Sequence, residues 1–497
     1  METVIGGLDI GSTGAKITVV GADGAMLHGG YRDYPVSRGE GAHELHGDAI
    51  WDAVKELLRE AAGAAPSMSA VGITTFGESF TLLDGNGGVL MPSMLYTDPR
   101  GAEESAELRE AVGYPRVCSI AGGAPQSMYS LPKLMWVRKR RPELLEKTKY
   151  ICLIEDFLGY RLTGRRLIDY SLAARTMGFD IKNKRWSGEI FGAAGIDPGL
   201  FSEPVPSGTA AGPVLPEIAA ELGVSPDLQI VLCCHDQVAA AAGSGVLRPG
   251  EATDGAGTVQ CVTPVFAGIP GGGVLYDNHY ALVPFLRDNT YCTYAFSYTG
   301  GSLIKWFIDT LAGKEKAEAK ARGLSVYDYL ESFMEDEPGD ILALPHFAGA
   351  ATPYMDGGAK GAFVGLGLTT RIGQMYRACM EGIAYEMAVN AEKLKEGGIE
   401  IKNLRATGGC AASRLWLQMK ADILDIPVTR MSVDEAGTVG GIMLTGVATG
   451  VYESLESAAE ILVRPLETFY PRADMHEKYM KIYERYKKLY YALRPLT

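Results

Sequence analysis

Gly6-Gly7-Leu8-Asp9-Ile10-Gly11-Ser12-Thr13-Gly14-Ala15-Lys16, continuing into Ile17-Thr18-Val19-Val20, reads as two apolar stretches joined by a Gly/Ser/Thr turn that carries one carboxylate. With Val4 and Ile5 entering the turn, the pattern is a β-hairpin. Such a turn presents backbone N–H groups, two hydroxyls and an acid at one point. Phosphate oxygens bind donors of this kind, and a Mg²⁺ ion on phosphates favours a carboxylate behind its water shell. A similar stretch, Asp254-Gly255-Ala256-Gly257-Thr258, returns in the second half between Glu251–Thr253 and the apolar Cys261-Val262. One such turn is equally well a plain Gly-rich hairpin. Two, one per half, point to a nucleotide held in a cleft between two domains.

Bulk properties agree with a globular enzyme. A chain of 497 residues exceeds one hydrophobic core and predicts two or three domains. Hydrophobic content of 47% and charged content of 22% are globular values. The net charge of −13 argues against nucleic acid or an anionic membrane as partner. The eight cysteines show no CxxC spacing, and no signal peptide precedes Val4, so they read as reduced thiols of a cytoplasmic protein. No apolar run approaches the roughly 18 residues of a membrane span.

Along the chain, Trp51, Val54, Leu57 and Leu58 predict a helix over 48–62, followed by strands at Val71–Thr74 and Phe80–Leu83. Helices are expected over 131–140 and 151–162, and a small-residue helix over 237–242 meets Pro249-Gly250 at the end of the first domain. The second half predicts strands near 281–285 and 341–344, and helices over 302–311, 372–394, 414–424 and 439–449. The 372–394 helix places Met375, Cys379, Ile383, Met387 and Asn390 on one face. In a last helix over 475–493 the Tyr479, Tyr483, Tyr486, Tyr490 stripe reads as packing.

The leading catalytic candidate is Asp236. The hydrophobic strand Ile230-Val231-Leu232 ends in Cys233-Cys234-His235-Asp236-Gln237, where a helix of small residues begins. An acid at that corner also serves as a helix cap. Beside a sugar hydroxyl, however, the same carboxylate takes the proton as the oxygen attacks the γ-phosphate of ATP. No G-x-x-x-x-G-K-[ST] loop is present, which excludes a P-loop kinase. Glu78, in Gly77-Glu78-Ser79, is either a substrate-hydroxyl ligand or a solvated loop residue. Gly408-Gly409, after a strand and before the helix from Arg414, offers bare backbone for a flat ring such as adenine.

At this point the chain resembles the FGGY carbohydrate kinases. The matches run in order through Asp9–Lys16, with Lys16 where the family usually has Arg; Tyr96-Thr97-Asp98-Pro99-Arg100; Glu155–Gly164; Asp169–Thr176; Gly361–Leu366; Glu381–Tyr385; and Gly408-Gly409. The resemblance implies an α/β protein of two actin-like (ribonuclease H-like) ATPase domains flanking a central cleft, with residues 1–245 as the sugar-binding domain and 246–497 as the nucleotide-binding domain. It implies ATP and Mg²⁺ as cofactors, Asp236 as general base, and Asp9 with Asp236 at the metal. Ser12, Thr13, Lys16, Gly257 and Thr258 fall on phosphate contacts, Gly301 and Lys305 on nucleotide contacts, and Gly408, Gly409, Cys410 and Ser413 on the adenine and ribose loop. Glu78, Tyr170, Asp236 and Gln237 fall on substrate ligands. Where the glycerol-specific branch has Gln-Arg-Glu, this chain has Phe76-Gly77-Glu78, so Gly77 is expected to open room for a longer substrate. The expected activity is ATP-dependent phosphorylation of a terminal hydroxyl on a small ketose such as xylulose. His235 keeps a 6-deoxy-ketohexose or polyol open, and a catalytically silent sugar sensor is the reading from another class. The expected partners are the sugar and ATP, with a homodimer allowed.

Overall fold

The computed structural model describes residues 3–39, 41–432 and 435–496. Two mixed sheets of matching topology organise it. The first contains β1 (Val4–Ile10), β2 (Gly14–Gly21), β3 (Met26–Asp33), β4 (Met68–Thr75), β5 (Thr209–Pro213) and β6 (Gln229–His235), in the order β5-β6-β4-β1-β2-β3. β1, β2 and β3 form an antiparallel meander, while β1, β4 and β6 run parallel. The second contains β7 (Glu251–Ala256), β8 (Gln260–Ala267), β9 (Val283–Pro284), β10 (Thr290–Cys292), β11 (Ala295–Ser297), β12 (Asn403–Thr407), β13 (Val428–Met431) and β14 (Pro465–Phe469). Its order is β9-β10-β8-β7-β12-β13-β14, with β11 also on β8. Again an antiparallel meander leads into parallel strands β7, β12 and β13. This is the doubled ribonuclease H-like plan that the family resemblance implied.

The parallel strands of the first sheet are nearly continuously buried because both their faces are covered. On one face lies α1 (Gly47–Ala64), which buries Ile50, Trp51, Val54, Leu57 and Leu58 and is capped by His46. Other helices complete the site: α2 (Ile154–Thr163), α3 (Tyr170–Ala174), α4 (Asp236–Gly243), α5 (Gly301–Leu311), α6 (Ile372–Glu396), α7 (Arg414–Leu424), α8 (Ala436–Ala448) and α9 (Ala473–Tyr486). α4 and α8 cross where the two sheets meet. A Cβ on Gly243 would lie 1.9 Å from the Ala436 carbonyl oxygen, and one on Gly440 would lie 2.0 Å from that of Ala239. Glycine is therefore required at both positions, and backbone meets backbone.

Several local expectations change. Residues 150–153 form a strand against Phe80–Leu83, and the predicted 151–162 helix starts only at Ile154. Strand pairing outcompetes helix propensity in that apolar run. The 281–285 strand shrinks to Val283–Pro284. α6 is buried all round from Tyr376 to Asn390 rather than along one face. The C-terminal helix breaks after Tyr486 and resumes at Leu489. Its tyrosines do pack: Tyr483 stacks on Tyr385 at 5.9 Å.

Candidate active site

Both hairpin turns are accessible. Ser12 is half-buried and Thr13 exposed between β1 and β2, and Gly257 and Thr258 are exposed between β7 and β8. Asp9 pairs across the first hairpin with Lys16. Its carboxylate lies against the first turn of α8, where a Cβ on Gly437 would come within 2.4 Å of Oδ2. Burial pushes Asp9 up to about 6, Lys16 opposing and Glu435 adding to the rise. Lys16 donates to Glu435 at 2.7 Å, so its ammonium is committed within the protein.

The second turn is shifted from its expected place. Asp254 lies inside β7, wholly buried, and the turn itself spans residues 257–259. Strand alternation aims the Asp254 carboxylate inward, where Gln260 Nε2 donates at 2.6 Å and Lys420 Nζ of α7 at 2.5 Å. Sequence inspection missed Lys420, 166 residues away.

Asp236 stands at the end of β6 as the first residue of α4. Its Oδ1 is buried without a hydrogen-bond partner. His235 Nε2 approaches it to 3.2 Å but is not a hydrogen-bond donor to it. Desolvation raises Asp236 to about 8, with the charges of Asp9 and Glu78 adding to the rise. His235 Nδ1 lies 2.9 Å from the Tyr294 hydroxyl, and burial beside Arg175 holds its pKa well below the usual value, keeping the ring neutral. Gln237 is half-buried one residue further on.

Glu78 is 4% exposed and has a left-handed backbone, with φ of 63°. Its Oε1 accepts from Arg175 Nε at 2.5 Å and from a second guanidinium nitrogen. The Arg175 guanidinium lies 5.0 Å from the Tyr129 ring and 5.5 Å from that of Tyr294. This corrects the reading of Gly77. A Cβ there would meet Arg175 Cγ at 2.9 Å and His235 Cδ2 at 3.1 Å, so the space beside Gly77 is filled by Arg175. It is not free room for a longer substrate.

Tyr170 is also corrected. Its ring stacks on Phe179 at 5.6 Å and faces Lys184, with Asp288 and Glu203 as its charged neighbours. Tyr129 is the tyrosine beside Glu78 and Arg175. The sole sequence signal for it was a tyrosine just ahead of the helix at Ser130. Tyr96 adds a further hydroxyl, with Glu78, Asp236 and Ser12 as neighbours.

A cavity of about 870 Å³ opens beside the second turn and is lined by Gly257, Thr258, Gly301, Lys305, Gly409, Cys410 and Ser413. Tyr327, Glu331, Tyr376 and Trp416 line it as well, and no motif had pointed to them. Gly408 must be glycine: its φ is 83°, and a Cβ would meet the Ala256 carbonyl at 2.6 Å. Ser413 caps α7 through a 3.0 Å bond from Trp416 N, so its hydroxyl already has a structural partner. Lys305, mostly exposed on the rim, donates to Asp309 at 2.7 Å. Among the described residues no helix is long and apolar enough to cross a membrane.

Comparison with known proteins agrees with this geometry. The model of the FGGY family of carbohydrate kinases, N-terminal domain, matches residues 4–243, and that of the C-terminal domain matches residues 278–449. The xylulose kinase of Bacillus subtilis (strain 168) is 26% identical over 505 residues, covering 100% of this chain and 98% of the relative. A glycerol kinase of Thermococcus gammatolerans is 30% identical over 506 residues, covering 98% and 97%. The crystal structure of xylulose kinase from Rhodospirillum rubrum superposes with a TM-score of 0.90 at 24% identity, covering 99% of each chain. This chain belongs to the FGGY family of carbohydrate kinases and is an ATP-dependent sugar kinase.

Proposed function

We propose that the protein transfers the γ-phosphoryl group of ATP to a terminal hydroxyl of a small ketose, with xylulose as the leading substrate and Asp236 as general base. The observation that carries this reading is Asp236 Oδ1, buried without a hydrogen-bond partner among the described residues, with Glu78, Tyr96 and Asp9 as its neighbours. A carboxylate raised to about 8 is a strong proton acceptor once it is ionised. Adenine lies against Gly409 in the cavity of about 870 Å³, which reaches the Gly257-Thr258 turn, and the phosphates lie between that turn and the one at Ser12-Thr13; Gly408 packs on the Ala256 carbonyl instead. Glu78, Tyr129 and Gln237 orient the sugar, and residues 1–245 and 246–497 form its two domains. The alternative is a 6-deoxy-ketohexose, favoured by the neutral His235 beside the base.

A magnesium ion fits the acids present. Asp9 and Asp236 both rise through burial, the charge of Asp9 adds to the rise of Asp236, and Oδ1 of Asp236 lacks a donor. A cation there offsets all three penalties. Asp9 and Asp236 would hold it, and it would neutralise charge on the transferring phosphoryl oxygens. Relatives named xylulose kinase over their full length support the ketose.

The test is a coupled ADP-release assay with xylulose, ribulose, rhamnulose, fuculose and glycerol side by side. Xylulose is expected to give the highest kcat/KM. If no sugar raises the rate above basal ATP hydrolysis, the reading fails.

A further inference from the structure

Arg175 is a buried cation beside the proposed sugar ligand Glu78, and among the described residues Glu78 is its one ion-pair partner. Nε and a second nitrogen of its guanidinium both bind Oε1 of Glu78. Both residues are about 5% exposed, so the pair is hardly screened by water. Tyr129 and Tyr294 sandwich the guanidinium, and Gly77 admits the arginine stem at van der Waals distance. The side chain is thereby held at Glu78 and cannot turn to another anion without leaving a buried carboxylate unpaired.

The other ionisable groups coupled to Glu78 and Tyr96 are acids, and cations that are committed or exposed. Asp236 and Asp9 lie close enough to Glu78 and to one another to raise the pKa of Asp236. Lys133, a second cation that senses Glu78, donates to the Leu95 and Met128 carbonyl oxygens at 2.7 and 3.0 Å. Arg38, near Tyr96, lies on the exposed rim, where solvent weakens its field.

We propose that Arg175 and Glu78 form a charge-compensated pair that makes this pocket selective for uncharged sugars over sugar acids. A carboxylate on the substrate would face Glu78 and find the Arg175 guanidinium already committed to it. A neutral polyhydroxy chain needs only donors and acceptors, and the second Glu78 oxygen, which is not the one Arg175 binds, supplies one acceptor. Selectivity then comes from unfavourable charge against the wrong substrate as well as from contacts to the right one. The inference rests on the kinase reading of the same site, and it identifies the side chains that set the charge class of the substrate.

The experiment measures xylulose against xylonate and gluconate, by ADP release and by calorimetric binding, in the wild type and three variants. In the wild type, the acids are expected to fall about 100-fold or more below xylulose in kcat/KM. Glu78→Gln frees the guanidinium as a carboxylate receptor and should move the acid-to-neutral binding ratio at least about tenfold toward the acids. Arg175→Gln should move the ratio the opposite way. The double variant removes both charges, so it should lose xylulose affinity and gain less for the acids than Glu78→Gln does, because no freed cation is left to receive them. A thermal melt accompanies each variant, and if Glu78→Gln does not fold, the wild-type ratio and Arg175→Gln decide. Wild-type turnover of gluconate or xylonate equal to that of xylulose overturns the proposal. So does an equal gain for acids in Glu78→Gln and in the double variant, because a freed cation would then not be the cause. Absence of turnover with any sugar, neutral or acidic, would instead overturn the kinase reading of the preceding subsection.

Discussion

Replacing Gly440 by alanine puts a methyl carbon 2.0 Å from the Ala239 carbonyl oxygen, 2.7 Å from its carbonyl carbon and 2.9 Å from its Cα. All three are backbone atoms, so no rotamer change relieves the overlap, and α4 and α8 must separate by roughly 1 Å or more to restore normal contact. Ala239 lies one turn beyond Asp236 on α4. The displacement therefore reaches the proposed base, while Asp9, on β1, moves less. A 1 Å misplacement of a reacting group costs about 100-fold in rate, and overpacking of this kind costs about 1–3 kcal/mol in stability. The adjacent glycine supplies the control. A Cβ on Gly441 meets nothing closer than Thr74 Oγ1 at 3.7 Å. Gly441→Ala should thus be neutral or gain up to about 1 kcal/mol from helix propensity. Steady-state ADP release gives kcat, and denaturant unfolding gives stability, for both variants. A Gly440→Ala enzyme with kcat within about threefold of wild type, or a Gly441→Ala enzyme equally impaired, would refute the claim that the helix crossing positions the base.

Asp236→Asn keeps the size of the side chain but removes the proton acceptor, so kcat should fall by about 100- to 10,000-fold with little change in calorimetric sugar affinity; near-normal kcat excludes it as base. Lys420→Met leaves Asp254 buried with only Gln260 and should cost about 3–5 kcal/mol in denaturant unfolding and raise the KM for ATP more than that for the sugar. Adding Asp254→Asn should recover most of the stability, and a double variant no better than the single would show that the pair is not the cause. Burial raises Asp156 from an ordinary value of 3.8 to about 7, so the folded state holds its proton longer than the unfolded chain does. Its stabilising protonation is complete below the unfolded value and is lost as pH rises to about 7. Asp156→Asn should therefore stabilise the protein by about 2–3 kcal/mol more at pH 8 than at pH 5, read from urea midpoints at the two pH values; an equal effect at both would contradict the shift.

Short-range pattern was enough to read the two hairpins, the acid at the β6–α4 corner and the helix from Arg414 to Leu424, because each depends on neighbours within a few residues. Alternation and turn glycines mark the hairpins. An apolar strand running into small residues marks the corner where Asp236 begins α4. The order of these pieces along the chain carried the family and, with it, the doubled sheet. Tertiary structure decided what surrounds them. Gly77 looked like free room until Arg175 arrived from 98 residues away to fill it, and Glu78 acquired its partner in the same step. Tyr129, not Tyr170, lies beside Glu78 and Arg175, because α3 turns Tyr170 toward Phe179. Asp254 looked like a turn acid until strand alternation aimed it at Lys420. Burial and charge pairing are set by which distant segments meet in space, and these contacts span from about 100 to more than 160 residues of sequence. No local pattern encodes them, whereas backbone conformation, which local pattern does encode, had already placed the glycines, the hairpins and the strand-to-helix corner at Asp236.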